Sequence, residues 1–182
     1  MDIVQLVLDD HAEQRRLFAL IEETDGSEKD ALSAMWTRLK NLLDAHAEAE
    51  ERFLYPRVLE QDSGGVDADS AEEATEDAIG DHNDIRDASE AVQQHEVGTK
   101  EWFDAVDEAN HANSHHLPEE ERQALTALRR NCSLEERHEL GVKFMRLESE
   151  YLCGIKVVDK DVDEYLEDPQ QTFESLEPEP AE

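Results

Sequence analysis

Four histidines, His11, His46, His82 and His116, recur along this chain at nearly even intervals, each within a stretch whose apolar residues have helical spacing. Two of them, His46 and His116, are followed four residues later by Glu50 and Glu120. An α-helix turns about 100° per residue, so residues four apart share a face and sit roughly 6 Å apart along the axis. A His and a Glu in that relation can ligate one metal and bridge to a second. One ligand group per helix, converging at one level of a four-helix bundle, accounts for all four positions at once.

The segments around these residues support that arrangement. From Asp2 to Thr24, Val4, Leu8, His11, Phe18 and Ile21 recur at helical spacing, and Thr24-Asp25-Gly26-Ser27 ends the run. A second helix is expected after Ser27 as N-cap, carrying Leu32, Trp36, Leu39, Leu43, His46, Glu50 and Phe53 until Pro56 disturbs it. Gln61 to Asp69 reads as a loop around Ser63-Gly64-Gly65. A third helix, Ser70 to His95, has a weaker inward stripe of Ala78, Ile79, His82, Ile85, Ser89 and Val92. Gly80 within it costs about 1 kcal/mol of helix propensity relative to Ala, which close packing near a site would explain. After Gly98-Thr99 a fourth helix carries Trp102, Val106, Ala109, Asn113, His116, Glu120 and Leu128, with Pro118 expected to kink it between the two ligand positions. A fifth helix, about 134–152, has Leu140, Phe144, Leu147 and Tyr151 in register. Its expected role is to cover the bundle or mediate association.

The chain has 182 residues, 38 % of them apolar, which suits a single core. The expected organisation is a bundle domain over residues 1–153 and an acidic, proline-bearing, disordered tail over 154–182, open to a protein partner. Lys and Arg total 17 against 48 Asp and Glu, a formal net charge of −31 that repels nucleic-acid backbones and anionic lipid heads. No apolar run is long enough to span a bilayer and no leader pattern opens the chain, so a cytoplasmic protein, monomer or homodimer, is expected. Cys132 and Cys153 are far from any C-x-x-C spacing, which argues against a thiolate metal site.

A His with a Glu four residues on arises by chance about once or twice in a chain so rich in Glu. The weight lies in the coincidence: both pairs fall on core faces, and the two remaining helices each offer a His on their own inward stripe. Imidazoles and carboxylates are rarely buried without partners. Imidazole plus carboxylate without thiolate suits iron, manganese or zinc, and two bridging-capable glutamates favour a dinuclear centre, with iron the best match. Closed structural zinc sites usually use four ligands, whereas six groups are present here for two metals.

At Asp10-His11, His46-Ala-Glu-Ala-Glu50-Glu51-Arg-Phe-Leu-Tyr55-Pro56, Asp81-His82-Asn-Asp-Ile85 and His115-His116-Leu-Pro-Glu119-Glu120-Glu121, the sequence resembles the hemerythrin-like, HHE cation-binding family. The resemblance covers about residues 1–153, including Leu134 to Gly141 as the helix after the bundle. It implies an up-and-down four-helix bundle around a non-haem, oxo-bridged di-iron centre that reacts with oxygen, hydrogen peroxide or nitric oxide. The ligand set it implies is His11, His46, Glu50, His82, His116 and Glu120. His115 and Glu119 satisfy the same spacing on the fourth helix; His116 and Glu120 are preferred because His116 shares a face with Ala109 and Asn113. Oxygen-carrying hemerythrin has a fifth His one turn from its helix-three ligand, where this chain has Ala78 and Arg86, which implies two open metals and redox chemistry on a small ligand. The alternative is a module that binds or senses oxygen, nitric oxide or iron without turnover.

Two further patterns compete for attention. Glu108-Ala-Asn-His111 and Glu135-Glu-Arg-His138 fit the Glu-x-x-His spacing of ferritin-like di-iron proteins, but they occupy neighbouring helices, so His111 and His138 are read as surface or boundary residues. Tyr55 ends the motif-bearing helix and could bring a phenol to the metals, although packing at the bundle end is the preferred reading. Trp36, Trp102 and Phe103 are read as core.

Overall fold

The computed structural model describes residues 1–62 and 68–151; the expected tail at 154–182 and Cys153 lie outside the described residues. The described residues are helical and contain no strand. Helix α1 (Ile3–Glu22) begins where the Asp2 carboxylate accepts a hydrogen bond from Val4 N–H at 3.1 Å. Its buried residues, Ile3, Val4, Val7, His11, Gln14, Leu17, Phe18 and Ile21, form one stripe. Helix α2 (Lys29–Ala49) follows a tight turn. The expected N-cap role of Ser27 is not realised: its hydroxyl donates to Asp25 at 2.7 Å, and Glu28 occupies the cap position with no side-chain bond.

Pro56 does not end the second rod. Helix α2 passes through a π-helical turn, Glu50–Leu54, into α3 (Tyr55–Asp62), with Tyr55 N–H bonded to Glu50 C=O. A wider turn just ahead of proline relieves the clash between its ring and the carbonyl four residues back. Helix α4 (Ala68–Val92) and helix α5 (Lys100–Arg122) pack closely along their lengths. The Thr99 hydroxyl caps α5, accepting from Trp102 N–H at 3.3 Å. Helix α5 runs through Pro118 to Arg122, and the helical run is interrupted at Gln123, ahead of α6 (Ala124–Asn131). Leu128 therefore belongs to α6. Helix α7 (Leu134–Tyr151) lies across α1 and α2, burying Phe144 and Leu147 while Tyr151 stays exposed. It approaches so closely that a Cβ on Gly141 would lie 3.1 Å from Ile3 N.

The rods formed by α1, α2 with α3, α4, and α5 with α6 make the bundle. The α1–α2 and α4–α5 turns meet at one end, where Gly26 and Gly98 touch backbone to backbone. Gly98 has φ +81°, and a Cβ there would stand 2.1 Å from Gly26 C=O, so neither position has room for a side chain. Gly80 has no such reason: nothing lies within 4 Å of a Cβ built there, so the expected close packing is absent. Two apolar clusters fill the interior. One, at the turn end, includes Leu17, Leu39, Val106 and an edge-to-face Trp36–Trp102 pair at 6.3 Å. The other includes Ile3, Leu54, Leu125, Leu128 and Phe144. A belt of buried polar side chains separates them.

Candidate metal centre

The belt contains His11 on α1, His46 on α2, Glu50 at the start of the π turn, His82 on α4, and His116 and Glu120 on α5. All six are buried, Glu50 and His11 completely. His11 Nε2 lies 3.1 Å from Glu120 Oε2, and His46 Nε2 lies 3.1 Å from Glu50 Oε1. Across the ring, His82 Nε2 is 3.3 Å from Glu50 Oε2 and 3.2 Å from His116 Nε2. Two overlapping groups result: His11, His46, Glu50 and Glu120 bring ligand atoms within 4.8 Å of one another, and so do Glu50, His82 and His116. Glu50 is common to both.

The alternates point elsewhere. His115 is exposed and Glu119 half-buried, and they lie near Asp81 on the outer side of α4 and α5. His111 and His138 are exposed, so neither Glu-x-x-His pattern reaches the interior. Tyr55 is buried, and its hydroxyl donates to Glu120 Oε1 at 2.8 Å.

Around the inner ring stands an outer one that the spacing of His and Glu did not disclose. His11 Nδ1 faces Glu121 at 3.0 Å, His46 Nδ1 faces Asp10 at 3.1 Å, His82 Nδ1 faces Glu51 at 2.9 Å, and His116 Nδ1 faces Asp81 at 3.4 Å. Each of these carboxylates is the chain neighbour of an inner residue on the adjacent rod. Asp10 precedes His11, Glu51 follows Glu50, Asp81 precedes His82 and Glu121 follows Glu120. A carboxylate on Nδ1 holds the proton there and leaves the Nε2 lone pair free for a cation. The signal was in the sequence as two Asp-His pairs and two Glu-Glu pairs. Arg15 and Arg86 anchor the two glutamates from outside, at 2.8 and 2.5 Å.

Without a cation the centre is electrostatically tense. Burial disfavours a charged His82, but the carboxylates of Glu50 and Glu51 outweigh it and raise its pKa to about 9. Burial likewise opposes charge on His46, yet Glu50 and Asp10 hold its pKa well above the ordinary value. Glu50 is pushed up by burial and pulled further down by His46 and His82, ending well below the carboxylate range. His116 is lowered, mainly by burial. Five inward atoms, His11 Nε2, His46 Nε2, both Glu50 oxygens and Glu120 Oε2, have no aligned hydrogen-bond partner among the described residues. Buried lone pairs cost free energy unless something meets them. Imidazole nitrogens and carboxylate oxygens converging this closely in a buried space are what bound cations would satisfy, so this donor set fits a metal centre.

The sequence model of the hemerythrin HHE cation-binding domain matches residues 2–128. The chain belongs to this family. Metal-cation binding is the property the family name carries, and the His and Glu groups of this HHE domain are arranged to supply it. Comparison with curated proteins and with solved structures gave no match. The helical bundle expected from the sequence is the one observed. Among the described residues, no helix is long and apolar enough to cross a membrane.

Proposed function

We propose that residues 1–153 form a non-haem di-iron domain that binds and reacts with a small oxidant, oxygen, hydrogen peroxide or nitric oxide, in the handling of oxidative or nitrosative stress. In this reading His11 and His46 would hold one iron, His82 and His116 the other, and Glu50 and Glu120 would be shared between them. The observation that supports it best is the set of five buried, unpartnered donor atoms between four imidazoles whose outer nitrogens are already engaged. A di-iron pair, when bound, supplies reversible one-electron steps at each metal and open positions for a small ligand.

The chain's own residues then have definite tasks. Glu121, Asp10, Glu51 and Asp81 hold the imidazole protons on Nδ1, so each ring keeps one orientation. The Tyr55 hydroxyl holds Glu120 Oε1, and its proton is tightly kept: burial and then Glu120 raise its pKa well above 10. Tyr55 is thus a hydrogen-bond donor at the centre. Phe144 and α7 exclude water from the His46 side, with 5.9 Å between the two ring centroids.

Elemental analysis after anaerobic iron reconstitution, with optical spectra before and after peroxide, tests the reading on wild type and His46→Ala. About two irons per chain with an oxo-bridge absorption, both lost in His46→Ala, are expected. Absence of stoichiometric iron from the wild type would refute it.

A further inference from the structure

A cavity of about 840 Å³ adjoins the His82–His116 side of the centre, with Tyr55, His116 and Glu120 at its inner end. Pockets of roughly 300–1,000 Å³ hold small organic molecules, whereas a water takes about 30 Å³, so an oxidant of about two heavy atoms needs no such space. The cavity follows from the sequence of α4. Ala71, Ala74, Thr75 and Ala78 repeat at i, i+3, i+4 and i+7, so small side chains stand on a face where a bundle core ordinarily carries Leu or Ile. The opposite wall is α6, which turns Thr126, Ala127, Arg130 and Asn131 toward the space.

The charges on these walls are uneven in a telling way. Lys156 and Lys160 lie outside the described residues; of the other fifteen Lys and Arg, twelve are ion-paired, as expected where acids outnumber bases 48 to 17. Arg130 is an exception, with no carboxylate partner among the described residues, and it stands on the cavity wall. Arg122, also on the wall, is 3.6 Å from Glu119 and donates to Pro118 C=O. Asp81 faces His116, and Asp77 is exposed, with no cation partner among the described residues. The Thr75 hydroxyl is buried in the wall without a hydrogen-bond partner among the described residues. An unpaired guanidinium in so acidic a chain and an unpartnered hydroxyl line one space.

We propose that this cavity binds a small organic anion, a carboxylate, sulfonate or phosphate monoester, with its charged end on Arg130 and its body reaching past Thr75 and Ala78 toward Tyr55. That the body ends beside metals rests on the function proposed above; the chamber itself does not.

The test uses the full, iron-reconstituted chain and 1-anilinonaphthalene-8-sulfonate, an aromatic sulfonate that fluoresces when it leaves water. Wild type is expected to bind it saturably at one site. Arg130→Gln is expected to weaken binding about tenfold, the loss of one charge-assisted contact. The uncharged analogue N-phenyl-1-naphthylamine should bind both proteins alike. Ala127→Trp and, separately, Ala74→Phe fill the space and should abolish binding with iron content and helicity unchanged. Equal sulfonate affinity in wild type and Arg130→Gln, undiminished binding in both filled variants, or no saturable binding by wild type would overturn the proposal. Slower iron uptake in the filled variants without dye binding to wild type would make the cavity a metal-entry path and overturn it too. Iron content, read independently, separates the two readings: dye binding without iron leaves the chamber standing and removes the centre beside it.

Discussion

On the His11–His46 side of the ring, α7 lays Phe144 against His46 and closes the interior; on the His82–His116 side, α4 and α6 stand apart and leave a cavity that reaches Glu120. The inner residues of the two sides are near repeats, each with an Asp-His on its first rod and a His followed by a glutamate pair on its second. The ligand pattern therefore does not set accessibility. The residues one turn away do: bulky aromatic packing on one side, Ala78 and its small neighbours on the other. In the di-iron reading proposed above, one metal would thus be sealed and the other approachable with nearly the same donors on both.

The strongest way to break this comparison is to remove what the sides share. Glu50→Ala takes a donor from both groups and should lower iron content to near zero, since metal affinity needs the complete set; elemental analysis reads this directly. Phe144→Ala attacks only the closed side. It should cost about 3–5 kcal/mol of stability in chemical denaturation, as for other buried aromatics replaced by alanine, whereas Ala78→Leu on the open side should change stability by less than about 1.5 kcal/mol. The outer carboxylates offer a finer contrast. Asp10→Asn and Asp81→Asn should each weaken iron binding roughly 10–100-fold in chelator competition, with the larger loss for Asp10, which lies closer to its imidazole.

The smallest effect concerns Glu148 on α7, which burial, then Asp10, raises to a pKa of about 8. Its folded pKa exceeds the unfolded one of about 4.3, so the folded state keeps a proton that the unfolded state has lost. Stability from this group is full below the unfolded value and declines as pH rises through about 8. In metal-free protein, Glu148→Gln should flatten the fall in stability between pH 5 and 8 by about 1–2 kcal/mol, discounted for solvent reaching the site. An unchanged slope in pH-dependent denaturation would show that Asp10 and Glu148 do not share that proton.

Much of the bundle was legible because burial imposes a period. His11, His46, His82 and His116 stand on stripes that the apolar residues around them already marked; His116 and Glu120 are buried, while His115 is exposed and Glu119 half-buried. The outer ring was less accessible although Asp10 and Asp81 sit beside the histidines in the sequence. A residue next to an inward histidine points about 100° away, toward the neighbouring rod, so its partner depends on which helices adjoin. Pro118 did not mark where the helical run breaks. Proline forbids one backbone bond but does not dictate where the helix yields; here Gln123 yields, with φ −99° and ψ −80°, and Gln123 N–H still reaches Glu119 C=O at 2.9 Å. Ser27 and Gly80 show the same limit, since a capping residue type and a helix-weakening one each invite an explanation that the neighbouring atoms do not supply.

The π-helical turn at Glu50–Leu54 works as a one-residue phase shift in the second rod. In an unbroken α-helix, Tyr55 would stand about 140° around the axis from Glu50; the wider turn brings both to the interior, one in the ring and the other bonded to Glu120. Shortening the chain by one residue between 51 and 54 would restore regular backbone bonding and leave Tyr55 four positions after Glu50, about 40° around the axis, so the wider turn is what absorbs the extra residue. The rod's locally less regular geometry is thus what keeps its two halves, one facing the histidine–glutamate ring and one facing the chamber, synchronised.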